Sequence, residues 1–314
     1  MQDKSLDSPK ITILGAGSIG VSFAAFFSDI GAHVSLIDPD AERRVAASQG
    51  LADQRESMRE AGLLRGGAGP VDTLGNLETA LPKADLVIEC GPENLATKQE
   101  IFADLLARSG SETVLATASS AITISEILPN PSQQKRCLVA HPVNPPAILR
   151  VIELVPAPGT DQQATAKAAS LFQSAGFETV QLGHEIEGFV LNRLQSAVLR
   201  EAYRLVDEGV TDVAGIETIM RMGLGPRWAL SGPFETAELN TPGGIKAHAA
   251  RMGPAYKRIG EARGETVDWN DALISKVDAQ RREVLSLGEL AGRATWRSRA
   301  VARLVAVRDR LMQD

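Results

Sequence analysis

Two short segments hold residue types on which chemistry could rest. In CLVAHPVNPP, His141 ends an apolar run and opens a loop that Pro142, Pro145 and Pro146 would stiffen. In RVIELV, residues 150 to 155, Glu153 interrupts an otherwise apolar run with a carboxylate. Imidazole is the side chain that exchanges a proton most readily near neutral pH. A carboxylate in an apolar strand has to be paired, protonated or at the sheet's edge, because an unpaired buried charge is costly. Paired with His141, Glu153 would fix the ring's tautomer and stabilise its protonated form, which is what a general base needs. Taken alone, His141 reads as a structural strand-end residue, and Glu153 equally as one facing outward. His33 beside a strand, and His184 and His248 in polar surroundings, read as surface residues.

A third segment, ITILGAGSIGVSF at residues 11 to 23, shows what reaction such a base could serve. Gly15, Gly17 and Gly20 follow a strand directly and open a helix, and the next strand ends at Asp38, 18 residues after Gly20. That context makes GxGxxG a dinucleotide-binding turn. The first glycine permits the turn, the second lets a pyrophosphate approach the backbone, and the third lets helix and strand pack closely, with the pyrophosphate on the helix N-terminus. Asp38 would accept hydrogen bonds from a ribose and repel a 2′-phosphate, so NAD is expected over NADP; Arg43 and Arg44 close behind weaken that preference. A nicotinamide cofactor implies hydride transfer, with His141 as the group that takes the hydroxyl proton.

The elements that must position these residues alternate. ITIL (11–14), HVSLI (33–37), DLVIEC (85–90), TVLATA (113–118), CLVA (137–140), RVIELV (150–155) and ETVQL (178–182) read as strands. Helix-length segments at 19–31, 41–62, 95–108 and 161–175 lie between them. Alternation predicts a largely parallel sheet with helices on both faces. RGGAGP (65–70) is a turn within that unit. After Gly188 the strand signals stop: Leu191, Leu194, Val198, Ala202 and Leu205 recur at helical spacing up to Gly209, Thr211 is placed to cap the next helix, and Gly223 and Gly225 to close it. The expected architecture is α/β, a Rossmann-type NAD-binding domain at 1–188 followed by an all-helical domain at 189–314.

Composition limits the alternatives. A net charge of −6 and 4% aromatic residues argue against nucleic acid as a partner. The arginine-rich tail from Arg293 to Arg310 reads as an amphipathic helix, with Val301, Leu304, Val305 and Leu311 on its apolar face and a solvated basic face. No stretch approaches the roughly 18 apolar residues of a membrane span, and the polar start MQDKSLDSPK is no signal peptide. Cys90 and Cys137 lie far apart without a CxxC pattern, and the histidines show no metal-ligand spacing, so a cytoplasmic protein without a structural metal is expected.

GAGSIG, PENLATKQEIF, TASS, HPVNPP, VIELVP and GFVLNRL, in this order, resemble the 3-hydroxyacyl-CoA dehydrogenase superfamily, and most closely its λ-crystallin / L-gulonate 3-dehydrogenase branch. The resemblance spans nearly the whole chain. It implies an NAD-dependent dehydrogenase that forms a homodimer through its helical domain and works in the cleft between its domains. His141 would be the general base and Glu153 the residue that orients it. Ser119 and Asn192 would hydrogen-bond the reacting oxygen, and Glu93, Lys98 and Asn144 would lie near the nicotinamide and its ribose. Taken alone, Ser119, Asn192 and Lys98 also read as a loop hydroxyl, a helix-start polar residue and a solvated charge.

Departures from the acyl-CoA pattern concern the substrate. Ala116 to Ser120 read ATASS where many acyl-CoA enzymes read SNTSS, and residues 40 to 82 contain no lysine, although Arg43, Arg44, Arg55, Arg59 and Arg65 remain. GPRWALSGPFETAELN replaces GYPMGPFEL and puts Arg227 where the resemblance places the cleft. An arginine there would clasp a free carboxylate bidentately; an ordinary salt bridge is the equal alternative. The expected substrate is a free 3-hydroxy acid such as L-gulonate. A 3-hydroxyacyl-CoA or L-carnitine, for which Trp228 is the nearby ring, are alternatives, and a crystallin-like or NAD-sensing role without turnover is the reading from outside enzymology.

Overall fold

The computed structural model describes residues 8–78, 80–230, 232–240, 244–262 and 286–311, with single positions at 264, 272, 275, 279, 283 and 313. Contacts divide the chain into two units, Met1–Arg193 with Ser298–Ala306, and Leu194–Arg297 with Val307–Asp314. Among the described residues no helix is long and apolar enough to cross a membrane.

The first unit alternates strand and helix: β1 (Lys10–Leu14), α1 (Ser18–Asp29), β2 (His33–Ile37), α2 (Ala41–Glu60), β3 (Val71–Leu74), β4 (Leu86–Glu89), α3 (Leu95–Arg108), β5 (Val114–Thr117), α4 (Ile124–Ile127), β6 (Cys137–Pro142), β7 (Val151–Pro156), α5 (Gln162–Ser174) and β8 (Glu178–Gln181). Asp40 caps α2 by accepting from the Glu42 and Arg43 amides, and Asn94 caps α3 by accepting from Thr97 N. The eight strands form one sheet in the order β3-β2-β1-β4-β5-β6-β7-β8. All neighbours pair parallel except β6 and β7, which are antiparallel. Only a short loop joins those two, and a parallel crossover needs a dozen residues or more. β3 is a strand that no sequence pattern announces.

Strand parity sorts the core. Ile11, Ile13, Val34, Leu36 and Ile152 pack with Phe23, Phe26 and Phe27 of α1 and Phe172 of α5 on one face. Val87, Leu115, Val139 and Val155 pack with Phe102 and Leu105 of α3 and Ile124 of α4 on the other. Residues two apart on a strand share a face. Glu89, Thr117, His141 and Glu153 are each two positions from one of those four, and so come out together on the α3 side. Four polar side chains thus gather toward one end of the adjacent strands β4, β5, β6 and β7.

The second unit is helical among the described residues. Most of α6 (Leu191–Asp207) belongs to it, followed by α7 (Val213–Ile219), α8 (Gly225–Leu230), α9 (Pro233–Leu239) and α10 (Gly244–Ala262). Gly209 ends α6 with φ 69°. Two expectations need correcting. Asp212, not Thr211, caps α7, accepting from Gly215 N. Gly223 and Gly225 do not close a helix; a π-helical turn at Met220–Leu224 runs straight into α8. The last helix, α11 (Leu290–Leu311), is divided between the units, and its Ser298–Ala306 stretch belongs to the first, where Ala302 and Val305 form a small cluster with Ala61 and Ile148. Leu304 is 56% exposed and so lies off the buried face to which its spacing assigns it. The side chains of Val301 and Leu311 lie outside the described residues.

Candidate active site

The turn after β1 is shaped by its glycines. Gly15 has φ +106°, and a Cβ there would lie 2.7 Å from Cys90 O at the end of β4. A Cβ on Gly20 would lie 1.9 Å from Gly15 O, so only glycine lets α1 begin this close to β1. Gly17 has nothing within 4 Å of a Cβ position; its open side faces a cavity of about 960 Å³ lined by Gly15, Gly17, Ile37, Asp38, Cys90 and Gly91, among others. The cavity lies beyond the C-terminal ends of β1, β2 and β4, where the strand order reverses direction along the chain. Asp38 is 3% exposed and accepts from Ala16 N and Asp40 N, both at 2.9 Å. Arg43 Nη1 is 4.0 Å from Asp38 Oδ2, and Arg44 Nη1 donates to the Asp38 and Pro39 carbonyls. The first turn of α1 has no acidic residue to oppose an anion on its N-terminal amides. These features fit a dinucleotide, with Gly17 toward the pyrophosphate and Asp38 toward a ribose.

Beyond the cavity lies a buried charge cluster. Lys98 of α3, 1% exposed, donates Nζ to Glu89 Oε2 at 2.8 Å and to Oε1 at 3.0 Å. Thr117 Oγ1 donates to Glu89 Oε2 at 2.6 Å, and Lys98 Nζ is 3.4 Å from Glu93 Oε2. Glu93 Oε1 accepts from Ser119 Oγ at 2.6 Å and from the Ser120 and Ala121 amides at 3.0 and 3.1 Å. Burial alone would raise the Glu93 pKa; the Ser119 hydroxyl, Lys98 and the two amides more than offset it and hold the carboxyl below its ordinary range. Lys98 is therefore no solvated helix charge. Ser119 Oγ also accepts from Ile122 N at 2.7 Å, so its one proton goes to Glu93 and its lone pairs to backbone.

The second half of the cluster is the expected pair. His141 and Glu153 stand directly opposite in the β6–β7 ladder, and His141 Nδ1 is 2.8 Å from Glu153 Oε2. Glu153 Oε1 accepts from Val190 N at 2.8 Å and Leu191 N at 3.0 Å. Burial pushes the Glu153 pKa up, but the His141 bond and the two amides outweigh it, so the carboxyl lies below its ordinary range and stays ionised. Nε2 of His141 has no hydrogen-bond partner among the described residues, and the Phe189 ring lies 5.4 Å from the imidazole. Phe189 is fully buried with φ 49°, an uncommon conformation for a bulky residue. It turns the next two amides onto Glu153. Asn192 Nδ2 donates to Ser120 O at 2.8 Å, which ties the start of α6 to the serine loop.

Ser119, Glu93 and Lys98 thus meet in one network, to which Asn192 is tied through Ser120, and His141 and Glu153 form a second that reaches only the Val190 and Leu191 amides. Asn144 is exposed in the loop after β6 and joins these networks through no described bond, and Arg227 is exposed on α8 of the second unit. His33 pairs with Asp72 at the surface, His184 is exposed, and the half-buried His248 packs its ring against Tyr256. Glu89, Thr117 and Phe189 are positions that sequence reasoning misses. Glu89 carries the same signal as Glu153, a carboxylate inside an apolar strand.

Residues 10–186 match the profile of the 3-hydroxyacyl-CoA dehydrogenase NAD-binding domain, and residues 188–280 that of the family's C-terminal domain. The chain belongs to the 3-hydroxyacyl-CoA dehydrogenase family. It is therefore an NAD-dependent dehydrogenase acting on a CH–OH group. It is 34% identical over 306 residues to λ-crystallin of Oryctolagus cuniculus, covering 95% of this chain and 96% of that protein. It is 31% identical to an L-carnitine dehydrogenase of Streptomyces griseus, covering 98% and 89%. Among solved structures, 5-formyl-3-hydroxy-2-methylpyridine 4-carboxylic acid 5-dehydrogenase, an NAD⁺-dependent dismutase, superposes with a TM-score of 0.80 at 25% identity, covering 96% and 99%.

Proposed function

We propose that this dehydrogenase oxidises a free 3-hydroxy carboxylic acid, L-gulonate or a similar sugar acid, to the 3-keto acid. The observation that carries the reading is the His141–Glu153 pair, with Nδ1 engaged and Nε2 without a partner among the described residues. In that tautomer Nε2 accepts the hydroxyl proton of the substrate, and the ionised Glu153 stabilises the imidazolium that results. Bound NAD supplies the hydride acceptor. Asn192 keeps Oδ1 and one amide hydrogen for the substrate while its other hydrogen holds Ser120 O. Ser119 contacts the reacting oxygen by exchanging its hydrogen bond to Glu93. Asn144 and Lys98 act toward the nicotinamide side.

Arg227 is proposed to clasp the substrate carboxylate. The names of two relatives favour an acid handle, one acting on L-carnitine and the other on a pyridine carboxylic acid. The family name favours the second reading, a 3-hydroxyacyl-CoA with the same chemistry. We also propose a homodimer in the cytoplasm: Ile219, Met222 and Phe234 of the helical unit are 60%, 76% and 81% exposed, apolar side chains that a second copy would cover.

Formation of NADH, followed by absorbance with L-gulonate, L-carnitine and 3-hydroxybutyryl-CoA, tests the substrate. Turnover of the free acids with a KM raised by Arg227→Met supports the proposal; turnover of the thioester alone refutes it. Loss of turnover in His141→Ala with NADH binding intact supports the base, and no turnover of any 3-hydroxy substrate by the wild type favours the crystallin-like role. Light scattering checks the dimer, and cell fractionation checks the compartment.

A further inference from the structure

Arg150 lies two residues before Ile152, whose side chain packs on the α1 and α5 face of the sheet, away from Glu153. It is 9% exposed, donates Nε to Ala147 O at 3.4 Å and Nη1 to Ala175 O at 3.2 Å, and leaves Nη2 buried with no partner among the described residues. Arg65, exposed in the loop after α2, comes in from the solvent side. A Cβ on Gly176 would lie 2.7 Å from Arg65 Nη2 and 2.9 Å from Arg150 Nη1. The two guanidinium nitrogens are thus within about 6 Å of each other, where like charges repel. A third arginine, Arg55, donates to Ser28 Oγ at 2.8 Å, one residue from Asp29.

Asp29 is the carboxylate at this place among the described residues, and it is already engaged: Oδ2 accepts from Arg65 N at 2.6 Å and Oδ1 from Gly66 N at 3.3 Å. Two guanidinium groups therefore meet here beside one carboxylate that is already engaged. Capping of the α5 C-terminus explains the bond from Arg150 Nη1 to Ala175 O. It explains neither the unpaired Nη2 nor the approach of Arg65. Burial, then the charge of Arg65, bring the Arg150 pKa down to about 10, with Asp29 opposing them. A buried guanidinium N–H without an acceptor is costly, and an oxyanion between the two forks would satisfy it and remove the repulsion.

We propose that Arg65 and Arg150 form a binding site for a phosphate group, separate from the NAD cavity, with Arg150 Nη2 on the buried side and the Arg65 guanidinium closing it from solvent. A dianion matches the excess positive charge better than a monocarboxylate does. The bound group would join the loop after α2, the end of α5 and the residue just before β7, three positions ahead of Glu153.

The test is calorimetric titration of the full chain, with NADH saturating so that the cofactor's own phosphate positions are filled, at constant ionic strength. Inorganic phosphate and glycerol 3-phosphate are the probes. One saturable site per chain is expected in the wild type, weakened about tenfold or more in Arg65→Met, the loss of a hydrogen bond to a charged group. Arg59→Met, on the exposed surface of α2, should bind as the wild type does. Arg150→Met should also lose binding; because Arg150 is buried, its circular dichroism is compared with that of the wild type, and the exposed Arg65 variant decides the matter if it misfolds. Preference for glycerol 3-phosphate identifies a phosphorylated metabolite, and equal or better binding of inorganic phosphate identifies the free ion; either supports the site. No saturable binding into the millimolar range, or binding unchanged in Arg65→Met, overturns it.

Discussion

Replacing Glu153 by glutamine removes one charge while nearly keeping the shape, and the local geometry sets the consequence. The carboxylate accepts three hydrogen bonds, from His141 Nδ1 at 2.8 Å, Val190 N at 2.8 Å and Leu191 N at 3.0 Å. An amide has one acceptor oxygen for these two sides. With its oxygen toward His141, its NH₂ confronts two backbone N–H groups that then lack an acceptor. With its oxygen toward the backbone, its NH₂ faces Nδ1, which must accept; Nε2 then carries the hydrogen and cannot serve as a base. In either case the imidazolium that the proposed mechanism forms during oxidation loses its counter-charge. Opposite charges about 4 Å apart at an effective dielectric near 20 attract by roughly 4 kcal/mol, and a hydrogen bond to a charged group contributes about 1.5–3 kcal/mol. A fall in kcat of about 10²- to 10³-fold is expected, at about 1.4 kcal/mol per tenfold. NADH affinity, measured by fluorescence titration, should stay within about twofold of wild type, since a residue outside the cofactor cavity should leave uniform binding untouched. The folded Glu153 pKa is depressed. Its stabilisation is therefore complete above the unfolded carboxyl value of about 4.3 and is lost as pH falls through the folded value. Thermal unfolding should show wild type above Glu153→Gln at neutral pH and the gap closing below about pH 4. Turnover within about threefold of wild type, in a variant that is folded and binds NADH, would refute the reasoning.

Other substitutions probe the neighbouring groups. Asp38→Ala should weaken NADH about tenfold or more, through loss of the ribose acceptor and of the anchor for Ala16 N and Asp40 N, and should narrow the preference over NADPH; competitive titration of both cofactors reads this. Lys98→Met should cost about 3–5 kcal/mol in urea unfolding, because it strands a buried Glu89, and the double variant Lys98→Met/Glu89→Gln should recover part of that loss. The Cys137 thiol, pushed up to about 12 by burial, should resist a thiol reagent at pH 8 in the native protein and react once it is unfolded; rapid native labelling of Cys137, located by mass spectrometry, would contradict this.

How much can be read from the residues depends on how local the cause is. β2 at 33–37 and α3 at 95–108 coincide with their expected spans, because each has a clear period and a clear start. β3 is not legible, since VDTL is four residues with none fully buried and no apolar run marks it. The glycines at 223 and 225 suggest stops, but a π-helical turn followed by α8 carries the helical backbone through both. Within the site, the juxtaposition of His141 with Glu153 is legible because a carboxylate inside an apolar strand demands a partner. The amides of Val190 and Leu191 are not, for they reach Glu153 only through the left-handed backbone at Phe189, which no pattern in GFVLNRL announces.

The buried trio of Glu89, Lys98 and Thr117 comes from three separate elements, β4, α3 and β5, yet its members are bonded to one another. Neither charge can be lost by itself without leaving the other stranded in the interior. In the descent of this chain the two charged positions should therefore behave as a single character. Lineages that lose the lysine should be found to have lost the acid as well, most easily by passing through a neutral glutamine. Ser119 and Glu93, bonded to each other in the same network, should likewise be inherited as a pair.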